Sequence, residues 1–98
     1  MSYTIEFMPD AQEQLSRLTA RQQAILLDRI QEQLQHRPAQ ETKQRKKLRL
    51  NPLAPWELRV REFRVFYDVD AEQQTVFVIA IGQKKHSTLY IGSREFEL

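Results

Sequence analysis

Arg59, Arg61 and Arg64 lie close together in a stretch that alternates apolar and polar residues. If that stretch is a pair of neighbouring strands, the three guanidiniums share one sheet face and form a preorganised anion site. Arginine stays charged, and its planar fork matches phosphate oxygens. On their own, such arginines could equally face solvent and pair with Glu57, Glu62 or Asp68. A second basic group, Lys84, Lys85 and His86, follows Gly82 at the end of the most apolar segment, where a rigid scaffold would position it. Tyr90 lies six residues beyond Lys84 and could stack on a base, bond to a phosphate, or pack beside Leu89 and Ile91. A third group, Lys43, Arg45, Lys46, Lys47 and Arg49, places five positive charges in seven residues. Such a run attracts polyanions, although a solvated edge or a docking surface for an acidic protein has the same composition.

Other chemistries are excluded by composition. The 98 residues contain no cysteine, so disulfides and thiolate chemistry are absent. With only His36 and His86, no histidine-rich metal site is expected, and His36 reads as a residue near a helix end. Glycine occurs only at Gly82 and Gly92, which removes glycine-rich nucleotide loops. No cofactor is expected. The net charge of +2 is uneven: residues 1–42 carry −2, residues 43–90 carry +5 and the last eight −1. The longest apolar run, Val76 to Ile81, is too short to span a bilayer. Residues 1–6 lack the basic and apolar regions of a signal peptide, so a cytoplasmic protein without a membrane partner is expected.

The elements that must hold these groups follow from periodicity. Tyr3, Ile5 and Phe7 alternate with polar residues and predict a first strand. Pro9 and Asp10 suit the first turn of a helix carrying Ala11, Leu15 and Leu18. Thr19 and Gln22 form a capping box for a second helix, with Leu26, Leu27, Ile30 and Leu34 as its apolar stripe, ending at His36-Arg37-Pro38. Lys47 to Leu50 suggests a short extended edge, and Asn51 to Pro55 a loop. Trp56, Leu58 and Val60 form one face of a strand; Phe63, Val65, Tyr67 and Val69 continue the pattern in the next. A hairpin loop at Asp70–Gln74 and a central strand at Thr75–Ile81 complete the series. The order predicts a single α+β domain over residues 1–98. It has an N-terminal strand, then an antiparallel helical hairpin packed on one face of a mostly antiparallel twisted sheet of four or so strands.

Two stretches carry a family resemblance. Trp56-Glu57-Leu58-Arg59-Val60-Arg61-Glu62-Phe63-Arg64-Val65-Phe66-Tyr67-Asp68-Val69 resembles the basic-strand hairpin of the RelE/ParE superfamily of toxins from type II toxin–antitoxin pairs. Val78 to Tyr90 resembles its apolar strand, Gly, basic turn and terminal Tyr. The resemblance to the RelE branch implies a ribosome-dependent mRNA interferase that cleaves without a metal, by attack of the ribose 2′-hydroxyl on the adjacent phosphate. It implies that Arg64 stabilises phosphate charge, Lys84 assists the leaving group, Tyr90 orients the substrate, and Arg59 occupies a strand position usually held by lysine. His86 could supply the base, a task that suits an imidazole. Lys43, Arg45, Lys46, Lys47, Arg49, Arg61 and Lys85 would grip RNA. Glu57 departs from the branch, which tends to place a basic residue there, and Lys84 stands where the family has arginine. The implied partners are a cognate antitoxin with an acidic amphipathic segment, the ribosome and mRNA, and operator DNA only through the antitoxin complex. Two alternatives remain within the resemblance: a ParE-like inhibitor of DNA gyrase, and an inactive homologue acting as an antitoxin-binding co-repressor.

Overall fold

The structure, a computed structural model, describes residues 2–49, 53–86, 88–91 and 94–96. The element order is β1 (Thr4–Phe7), α1 (Pro9–Ser16), α2 (Ala20–Leu34), β2 (Arg45–Lys47), β3 (Trp56–Val60), β4 (Phe63–Asp70), β5 (Thr75–Lys85), β6 (Thr88–Ile91) and β7 (Arg94–Phe96). One sheet runs β2-β3-β4-β5-β6-β7 with antiparallel pairing throughout. β1 joins it in parallel along the first half of β5, with Thr4 opposite Thr75. Among the described residues the sheet thus has seven strands rather than about four. The C-terminal strands β6 and β7 account for most of the difference.

Local chemistry sets the helices. Pro9 opens α1 and Asp10 lies in its first turn, where a negative charge meets the positive helix end. After a connection at residues 17–19, the Thr19 hydroxyl accepts a hydrogen bond from the Gln22 backbone N–H. The Gln22 side chain returns one from the Thr19 N–H, completing the expected capping box. Leu26, Ile30 and Leu34 are buried at four-residue spacing. Leu27, expected on the same stripe, is 41% exposed, because it stands about 100° round the helix from Leu26.

Both helices cover one face of the sheet. The main core joins Ala11, Leu26, Ile30 and Leu34 to Trp56, Leu58, Val60, Phe63, Val65, Tyr67, Val76, Val78 and Ile81. Trp56 and Tyr67 stack across β3 and β4 with ring centroids 6.0 Å apart. The opposite, open face carries a smaller cluster of Ala54, Phe66, Ala80, Leu89 and Ile91, with Leu48 and Leu53 packed on it. Part of the expected 51–55 loop, Asn51 and Pro52, lies outside the described residues, as does Leu50 of the expected edge.

A bulge decides which face the second half of β5 presents. Between Phe66 and Tyr67 the β4–β5 register shifts, so Tyr67 faces Val78 while Phe66 faces Ala80. The extra residue in β5 reverses its alternation. Val76 and Val78 point to the helices before it, and Ile81 does so after it. Gln14 of α1 satisfies the irregular backbone: its Oε1 accepts from the Ile81 N–H at 2.7 Å.

Candidate anion-binding site

Across β3 and β4 the register pairs Trp56 with Tyr67, Leu58 with Val65 and Val60 with Phe63 on the helix side. Glu57 and Arg59 therefore lie on the open face, and Arg59 is the direct partner of Arg64. Arg64 in turn pairs with Gly82 of β5, and Lys84 is two residues further along the same face. Arg59, Arg64 and Lys84 thus come together from three adjacent strands. With Lys46, Lys47 and Arg49 they line a cleft of about 570 Å³.

Glu57 organises this cleft. It is 3% exposed, yet both of its oxygens have partners. Oε2 lies 3.5 Å from Arg59 Nε and Oε1 lies 3.8 Å from Arg64 Nε. Arg64 Nη1 also donates to the carbonyls of Arg61 and Phe63, at 2.7 and 2.8 Å. The Arg64 guanidinium is thereby held in place by its own hairpin. Arg59 is more exposed and reaches outward. The Lys84 backbone N–H donates to Glu62 O at 2.7 Å, tying β5 to the same hairpin turn.

Gly82 sits where the strands approach most closely. A Cβ added there would lie 2.9 Å from the Tyr90 carbonyl oxygen and from Ile91 Cγ1. No side chain fits between β5 and β6 at this point, so glycine is required for the approach.

The remaining expected residues separate. Tyr90 pairs with Gln83, not with Lys84, and therefore faces the helix side. There it lines a cleft of about 410 Å³ with Gln14, Arg17, Phe63 and Lys85, and Lys85 Nζ lies 6.0 Å from its ring centroid. The expectation that Tyr90 acts on one substrate with Arg64 and Lys84 is corrected: the sheet stands between them, and Lys85, expected to grip RNA, lies on the side of Tyr90. The cause is the short β5–β6 turn, which pairs Lys85 with Thr88 and leaves Lys84 and Tyr90 on opposite faces. His86 occupies that turn at φ 55°, exposed and outside the open-face cleft.

Arg45 also departs. It pairs with Leu58 and turns towards α2, where Nη1 donates to Gln33 O at 2.7 Å and Nε donates to Gln40 O at 2.9 Å. Those bonds fix the chain between α2 and β2, so Arg45 is a structural clamp rather than an open-face cation. Arg61, expected beside Arg59 on the strand, is in the two-residue turn between β3 and β4 at φ 56°. Lys43 is exposed ahead of β2. Among the described residues, no group of three or more His, Asp or Glu side chains could hold a metal.

The arrangement can bind an anion. Arg59, Arg64 and Lys84 line one open space with Lys46, Lys47 and Arg49, and a buried carboxylate lies between Arg59 and Arg64. In the sequence Glu57 stands out only as a departure from the family pattern. Its place opposite Phe66, with Arg59 and Arg64 beside it, follows from strand register.

The ParE toxin family of type II toxin–antitoxin systems (parDE) matches residues 5–87, and the chain belongs to that family, within the RelE/ParE superfamily of toxins. The fold is shared with the crystal structure of the toxin–antitoxin complex RelBE2 from Mycobacterium tuberculosis, at 24% identity and a TM-score of 0.74. That likeness covers 86% of this chain and 93% of the other. No curated protein sequence matches the chain. Among the described residues no helix is long and apolar enough to cross a membrane.

Proposed function

We propose that this toxin acts by binding its target rather than by cutting RNA, in the manner of the ParE branch, whose members inhibit DNA gyrase. One observation carries this reading: Tyr90 lies across the sheet from Arg59, Arg64 and Lys84. Strand cleavage through the 2′-hydroxyl needs proton-transfer groups beside the cations that hold the phosphate. In the open-face cleft the cations stand with Glu57, whose two oxygens already face guanidiniums, and with Glu41 at its solvent-exposed rim. Such a surface suits an anionic partner held in place without chemistry. The family match supports the same reading.

A cognate antitoxin would restrain it. The groove between β1 and α2, about 420 Å³ and lined by Tyr3, Ile5, Phe7, Leu27 and Ile30, offers an apolar seat for an amphipathic segment. The basic cleft would attract that segment's acidic residues.

The second reading, a ribosome-dependent mRNA interferase, is favoured by the convergence of Arg59, Arg64 and Lys84 on one cleft. The two are separated by inducing the toxin in cells and trapping gyrase–DNA complexes. The binding reading expects such complexes to accumulate, and to be lost in Lys84→Ala. Translation arrest without trapped gyrase would favour the interferase.

A further inference from the structure

A second, smaller basic cleft lies round the edge of β3 from the first. Arg29 and Gln33 of α2, Gln44 ahead of β2, and Arg59, Val60 and Arg61 at the end of β3 surround about 150 Å³. Arg29 and Gln33 share a helix face at i,i+4 spacing. Arg61 projects from the first of two turn residues, at a positive φ where glycine is favoured. Among the described residues neither Arg29 nor Arg61 has a carboxylate within ion-pair distance. Gln33 Oε1 already accepts from Arg45 Nη1, so its amide nitrogen remains available as a donor. Three guanidiniums and donor amides thus surround a space with no negative charge of its own.

We propose that Arg29, Arg59 and Arg61 bind one phosphate of a nucleic-acid backbone, as a continuation of the open-face cleft. Arg59 borders both clefts and links them into one track. The chemistry favours phosphate over an acidic peptide. Forked guanidiniums match phosphate oxygens in pairs, the space fits one oxyanion, and Val60 is the single apolar lining residue. A peptide would need apolar anchors that this cleft lacks. The inference rests on a target that carries a phosphodiester backbone: messenger RNA in the second functional reading, or the DNA held in a gyrase–DNA complex in the first.

The test is the salt dependence of binding by the full chain to two probes, a short DNA duplex and a short RNA strand, each fluorescently labelled. Each lost phosphate contact lowers the slope of log K against log salt by about 0.9 for duplex DNA or about 0.7 for a single strand. Arg29→Gln should lower the slope by a part of one such step on the probe that is the true source, and Arg29→Lys should restore it. Arg21→Gln, an exposed cation in the first turn of α2, should leave it unchanged. If Arg29→Gln behaves as Arg21→Gln on both probes, the proposal is overturned; should Lys84→Ala still lower the slope, the open-face cleft keeps its role. Binding to neither nucleic acid, or to poly-glutamate in their place, also overturns it.

Discussion

Arg59 and Arg64 face each other directly across the β3–β4 ladder, and Glu57 lies beside both with one carboxylate oxygen towards each. Two like charges at directly opposed positions destabilise a sheet. Here a buried acid offsets that repulsion and fixes the spacing of the two guanidiniums.

Glu57→Gln should therefore destabilise the protein by about 1–3 kcal/mol, the usual cost of leaving buried polar partners unmatched. Denaturant unfolding measures it. The deficit should shrink as salt rises, because screening weakens the repulsion left between Arg59 and Arg64. A deficit independent of salt would mean that Glu57 acts through packing alone.

Gly82→Ala should cost about 1–3 kcal/mol, the range for overpacking. The added methyl meets the Tyr90 backbone carbonyl, which cannot move without shifting β6. Amide hydrogen exchange should show lost protection in β6 before any change in β3.

Tyr90→Phe should leave growth arrest on induction unchanged, because the ring faces the helix side, away from Arg64 and Lys84. Lys84→Ala, on the open face, should relieve it. Growth curves of induced cultures compare the two directly.

Tyr67 predicts a pH limit. Burial pushes its hydroxyl well above the ordinary value of 10.0, with nearby Arg45 partly opposing the shift. The hydroxyl also donates to Pro38 O at 2.8 Å. A pKa raised by folding contributes stability that is fully present below about pH 10 and lost as pH climbs beyond it. Unfolding free energy should thus fall above pH 10 in the native chain. Tyr67→Phe should start about 1 kcal/mol lower at neutral pH and lack that decline.

Residues whose meaning is local were legible in the sequence. Pro9, the Thr19–Gln22 box and the alternation of Trp56 to Val60 each fix an element within a few residues. The shared face of Arg59 and Arg64 was legible too, because a two-residue turn joins their strands. What escaped depends on register between distant segments. Lys84 and Tyr90, six apart, would share a face on one continuous strand. The turn at His86 folds them into a hairpin whose pairing separates them. The β4–β5 bulge reverses a face at a point that alternation cannot locate within an apolar run. Arg45 looked like its neighbours in a basic run until α2 supplied its carbonyl partners. Arg29 gave no sign at all, since only the packing of α2 against β3 brings Arg61 near it.

The central claim, a toxin that binds without cutting, is tested most directly by mapping mRNA ends by primer extension before and after induction. Growth arrest with no new ends in ribosome-bound message is the predicted result. New ends in register with codons, lost in Lys84→Ala, would contradict it.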